Sequence, residues 1–189
     1  MTASRTEIDD LVIKLGIDLA IIAARGLPFY AETDDLVSIG PDILNREQKL
    51  APAAAAAWRG MQAAAAEDSV QLLAVSGFRS VSQQVAIIER KLARGTTLDA
   101  ILIGSAPPGY SEHHTGCALD IATSGSPPLS ESFEETAAFA WLQDNAGRYG
   151  FSLSYPRDNR YGFCFEPWHW LHRPVVADPS SPGPTSRLA

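Results

Sequence analysis

The stretch that decides the reading is Ser111-Glu112-His113-His114-Thr115-Gly116-Cys117-Ala118-Leu119-Asp120. It gathers two imidazoles and two carboxylates, crosses a Thr-Gly turn and enters an apolar segment that reads as a buried strand. Side chains alternate along a strand. Cys117, Leu119 and Ile121 therefore make a core face, while Asp120 points into a site with Ala118 as a small neighbour. His113 precedes the turn, which folds it back over that face. His114 is its rival, because adjacent residues rarely share a direction; spacing alone leaves the choice open.

Further along, Glu166-Pro167-Trp168-His169 supplies a second carboxylate-imidazole pair. Two such clusters in distant segments suggest a divalent metal held by His, Asp and His, with a Glu left over as base. This is not the helical zinc-protease motif, which needs two histidines on one helix face. Pro167 pushes Glu166 towards an extended conformation, so a bend at Pro167-Trp168 is needed to aim Glu166 and His169 at one ion. His172 is expected at the surface.

Two neutral imidazoles and one carboxylate leave a zinc site with a net charge of about +1, which lowers the pKa of a bound water to roughly 7. Glu166 can take the water's proton and pass it to a leaving amine. Arg79 follows the apolar run Val70–Val75 and the turn Ser76-Gly77. It would offer a permanent positive charge to a developing oxyanion or a substrate carboxylate.

Outward from these clusters, the pattern predicts a helix over Glu7–Ala24 ended by Gly26 and Pro28, and a covering loop or short hairpin over 29–48. The Ala-rich run Pro52–Glu67 predicts a helix with Trp58 and Met61 on its buried side. Val70–Val75 predicts a buried strand, followed by a helix capped by Ser82 and running to about Arg94, then a short helix over Leu98–Leu102. Phe133–Ala146 predicts a helix, and Phe151–Tyr155 and Tyr161–Glu166 predict strands. The expected fold is α+β, a small and mostly antiparallel sheet with helices packed on one face. One domain is expected: a helical N-terminal segment over 1–69, a core over 70–173 and a disordered tail over 174–189.

The chain has 189 residues, 46% of them hydrophobic, enough for a single buried core. Its net charge of −7 argues against nucleic acid and anionic membrane as partners. Two cysteines make no disulfide framework. The apolar window Leu15–Ala24 is too short to span a bilayer, and acidic residues stand where a secretory signal needs positive charge. A cytoplasmic monomer is therefore expected, or a periplasmic one if an upstream segment has been trimmed away.

Ser111-x-His113-x-x-Gly116-x-Ala118-x-Asp120, with Glu166-x-x-His169 downstream and Ser76-Gly77-Phe78-Arg79-Ser80 upstream, resembles the VanY-type D-alanyl-D-alanine carboxypeptidases. These are zinc peptidases of the wider group that includes lysostaphin-like enzymes and the hedgehog domain. The resemblance covers roughly residues 70–172 and implies that fold. It implies one zinc ion on His113, Asp120 and His169, with Glu166 as base and Arg79 steadying the scissile carbonyl. It also places Gln84, Ser111, Ser154 and Tyr155 near substrate. The implied substrates are peptidoglycan stem peptides or precursors ending in D-alanine, cut at a D,D or an L,D bond. Competing readings are an endopeptidase of the cell wall and a non-catalytic zinc-containing binding domain. Glu166 and Arg79 speak against the last.

Overall fold

In the computed structural model, residues 3–173 are described; the tail expected over 174–189 lies outside them. The chain opens with α1 (Arg5–Lys14) and α2 (Leu19–Ala24). These replace the single helix expected over Glu7–Ala24. Gly16 takes a left-handed φ of 82° that ends α1, and the Asp18 carboxylate caps α2 by accepting from the Ala20 N–H at 2.8 Å. The segment expected as loop or hairpin is an antiparallel hairpin, β1 (Val37–Pro41) and β2 (Glu47–Leu50). Helix α3 spans Pro52–Glu67, as the alanine run dictates.

Strand β3 (Leu73–Ser76) starts later than the sequence suggests, because Val70 still bonds back to the end of α3 through Ala65 O. Helix α4 (Val81–Ala93) is capped by Ser80 rather than Ser82. Ser80 Oγ accepts from the Gln83 N–H, and the Gln83 side chain accepts from the Ser80 N–H, a reciprocal box. Helix α5 is Leu98–Ile103 and strand β4 is Ala118–Ala122.

The helix expected over Phe133–Ala146 is interrupted. A 3-10 turn over Glu131–Glu135 gives way at Thr136, whose hydroxyl caps α6 (Ala137–Asn145). Strand β5 is short, Phe151–Leu153. Tyr161–Glu166 is no strand. The Asn159 side chain bonds both the N–H and the C=O of Phe163, and Gly162 turns left-handed at φ 69°. The strand that completes the sheet is instead β6 (His169–His172).

The main sheet runs β3-β4-β6-β5, antiparallel throughout. Its register sets Ser76 opposite Asp120 and Asp120 opposite His169. A slip of one residue would exchange this polar row for the core row. Leu119 and Ile121 face a core built with Trp58 and Met61 of α3 and Phe139, Trp141 and Leu142 of α6. A second core joins α1, α2, α4 and α5 around Ile8, Val12, Ile88 and Ile101, and reaches Tyr155 and Phe163. Among the described residues no helix is long and apolar enough to cross a membrane.

Candidate active site

Four short segments meet on the polar face of the sheet. A 3-10 turn, Glu112–Thr115, lifts His113 over it and closes at Gly116 with φ 67°. A side chain there would bring its Cβ within 2.9 Å of Ala51 N, so glycine is required. His113 Nδ1 donates to Gly77 O at 2.7 Å, which leaves Nε2 facing Asp120 Oδ2 at 3.3 Å. Asp120 Oδ1 lies 2.9 Å from His169 Nδ1. One ligand atom each from His113, Asp120 and His169 fall within 4.8 Å of one another, all buried.

This donor set fits zinc. Burial pushes the His113 imidazole down to about 4, so it is neutral, and its one proton is committed to Gly77. Its Nε2 lone pair therefore confronts a carboxylate oxygen, two acceptors without a donor between them. A cation relieves that contact. The 3.3 Å spacing also matches the edge of a tetrahedron with metal–ligand bonds of about 2.0–2.1 Å, which is about 3.3 Å.

His114 does not join the set. It is wholly buried, its Nδ1 donates to Arg79 O at 2.6 Å and its Nε2 accepts from the Gly109 N–H at 3.1 Å. It ties the loop before the site to the loop that carries Arg79. His172, expected at the surface, is buried against Phe151 at the far end of β6.

The bend needed at Pro167-Trp168 is present: the His169 N–H donates to Glu166 O at 3.0 Å. Glu166 thereby enters a cleft of about 400 Å³ that is also lined by Arg79, Ser111, His113, Asp120 and His169. Burial and, in smaller part, the Asp120 charge push Glu166 up to about 7, against the opposing pull of His169.

Arg79 donates to Ser76 Oγ and Gln84 Oε1, each at 3.0 Å, and stands 3.8 Å from Asp120 Oδ2. Gln84 is 1% exposed and does not line the cleft; its amide nitrogen donates to Ala106 O. Its place is behind Arg79. Tyr155 lines the cleft and stacks on His169, centroids 4.7 Å apart. Ser154 does not line the cleft; burial alone would raise the Glu112 carboxyl, but His169 and, in smaller part, Ser154 hold it below the usual carboxylate range.

Glu112 is the residue that sequence reasoning passed over. Its Oε2 accepts from His169 Nε2 at 2.9 Å, and its Oε1 accepts from the Tyr30 hydroxyl at 3.3 Å. The one signal for it was its place beside His113. Tyr30, in a segment without motif, offered none.

The D-alanyl-D-alanine carboxypeptidase family model, VanY, matches residues 47–175. The Bacillus subtilis (strain 168) protein YodJ is 37% identical over 153 residues, 76% of this chain and 55% of YodJ. The chain thus spans about half the length of that relative. The structure of the LD-carboxypeptidase LdcB superposes with a TM-score of 0.67 at 35% identity, covering 77% of this chain and 71% of LdcB. A mutant of the D,D-pentapeptidase VanY from a VanB-type resistance cassette, in complex with Zn(II), superposes with a TM-score of 0.55 at 30% identity, covering 66% of this chain and 73% of the other.

Proposed function

Because the chain belongs to the D-alanyl-D-alanine carboxypeptidase family, we propose that it is a zinc-dependent carboxypeptidase removing the C-terminal D-alanine from peptidoglycan stem peptides or their precursors. The observation that carries this reading is the convergence of His113, Asp120 and His169 beside a carboxylate, Glu166, that is not one of the three. In this proposal His113, Asp120 and His169 hold one zinc ion. Bound there, zinc would supply Lewis acidity for a scissile carbonyl and a water.

The other steps belong to side chains. Glu166, poised near neutrality, takes a proton from the attacking water and hands it to the departing amine. The bond broken is the amide to the last residue, and the products are a shortened peptide and free D-alanine. Arg79, held from behind by Ser76 and Gln84, presents its remaining donors to the oxygen on which charge develops. Tyr155 pins the His169 ring by stacking and walls the cleft, and Ser111 lines it.

The likeness to LdcB favours a second reading of the bond: the L,D amide of a tetrapeptide rather than the D,D amide of a pentapeptide. Incubating the zinc-loaded protein with each peptide and measuring product masses separates the two. Loss of one alanine from the pentapeptide supports the D,D reading, and loss from the tetrapeptide the L,D reading. Interior cleavage means an endopeptidase, and no change in either peptide refutes turnover.

A further inference from the structure

We propose that Lys91 and Ser105 form the seat for the free α-carboxylate at the end of the substrate, an inference that rests on the peptidase reading above. Both line the cleft that holds Glu166 and Arg79. Lys91 sits in the last turn of α4, a place where a cation ordinarily offsets the helix dipole and points to water. Here it is half-buried instead, and its Nζ reaches across to donate to Ser105 Oγ at 2.7 Å.

Lys91 and Arg79 are the fixed cations on the cleft wall. Arg79 is engaged by Asp120, Ser76 and Gln84. Among the described residues Lys91 has no carboxylate at ion-pair distance, only the one hydroxyl. An ammonium with donors to spare in a partly dry wall is unfavourable until an anion meets it. Burial accordingly lowers its pKa, with the Glu166 charge only partly offsetting.

A peptide cut one residue from its end always carries such an anion. Lys91 supplies the charge-assisted bond, and Ser105, whose hydroxyl already accepts from Lys91, turns its own O–H outward to supply a second. An internal amide would offer neither partner, so this pair favours removal of a terminal residue over interior cleavage. It also frees Arg79 to serve the scissile carbonyl.

The test compares the stem peptide that the protein cleaves with its C-terminal carboxamide. Wild-type protein should prefer the free acid by about tenfold to a hundredfold in kcat/KM, the range expected for a hydrogen-bonded charge pair. Lys91→Met should collapse that ratio towards one, mainly through KM, and Ser105→Ala should reduce it part of the way. Calorimetric titration of Glu166→Gln protein, with and without Lys91→Met, reads the same preference as binding without turnover. An acid-to-amide ratio that survives Lys91→Met overturns the seat while leaving the peptidase reading intact. Wild-type protein that cleaves neither peptide overturns the peptidase reading itself.

Discussion

The Glu112 carboxylate accepts from Nε2 of His169 at 2.9 Å, on the edge of the ring opposite to the one that faces Asp120. Glu112 thus orients the imidazole and keeps Nδ1 turned towards Asp120, its register partner on β4. Groups placed so behind a metal-binding histidine raise its basicity and fix its tautomer. Glu112→Gln should weaken zinc affinity by about 10–100-fold with the fold retained. Competition against a chromophoric chelator measures this, and unchanged affinity would show that Glu112 only packs.

Glu166 should be separable from metal binding. Glu166→Gln keeps the shape of the cleft and removes the base, so zinc content should stay at the wild-type level. Peptide hydrolysis should fall by about 10²–10⁴-fold. A base must be unprotonated to act, and this one sits near 7 because burial raises it. Activity of the wild-type protein should therefore rise with pH on the acid side, and that limb should vanish from the residual activity of Glu166→Gln. Metal analysis alongside a pH–rate profile checks both halves.

His113 and His114 should behave as opposites. His113→Ala removes the Nε2 that faces Asp120 and should abolish zinc binding. His114→Ala removes the bonds to Arg79 O and Gly109 N and should cost about 2–3 kcal/mol of stability while zinc still binds. Metal stoichiometry and urea unfolding of the two variants give the answer; the reverse pattern would move the ligand by one position.

The candidate metal site was legible in part: a Thr-Gly turn before an apolar strand pointed to Asp120 and to one of two adjacent histidines. Only the family resemblance chose His113 over His114. Glu166 and His169 could be aimed together only by a bend that Pro167, which favours an extended residue before it, did not announce. The pairing partner of β4 was not legible. Tyr161–Glu166 has the apolar content of a strand, yet the Asn159 side chain takes over the backbone groups of Phe163 and hands the ladder to His169–His172. That competition is tertiary and leaves no periodic trace. His172 was read as exposed for the same reason, since it lies on that unrecognised strand. The long-range partners Tyr30 and Gln84 act through contacts that no spacing encodes, so their places behind Glu112 and Arg79 emerge only from the fold.

The hairpin ahead of the core reaches the site through Asp42, and this contact should be visible as a pH-dependent stability. Buried Asp42 accepts from the N–H groups of Leu44 and Arg46, from the Arg46 guanidinium and from the Gln48 amide. Gln48 in turn accepts from the Gly77 N–H, and Gly77 O receives His113 Nδ1. Burial raises the Asp42 carboxyl, but the Arg46 side chain and these N–H groups outweigh it and hold the pKa below its ordinary 3.8. A carboxylate with a depressed folded pKa contributes stability that is fully present above its unfolded value and is lost as pH falls through the folded one. Asp42→Ala should therefore cost about 2–3 kcal/mol at neutral pH. The gap from wild type should narrow only below about pH 4, where the unfolded carboxyl begins to take up a proton that the native one still refuses. Urea unfolding of both proteins between neutrality and acid measures it, and a gap that stays constant with pH would mean that the charge on Asp42 contributes nothing.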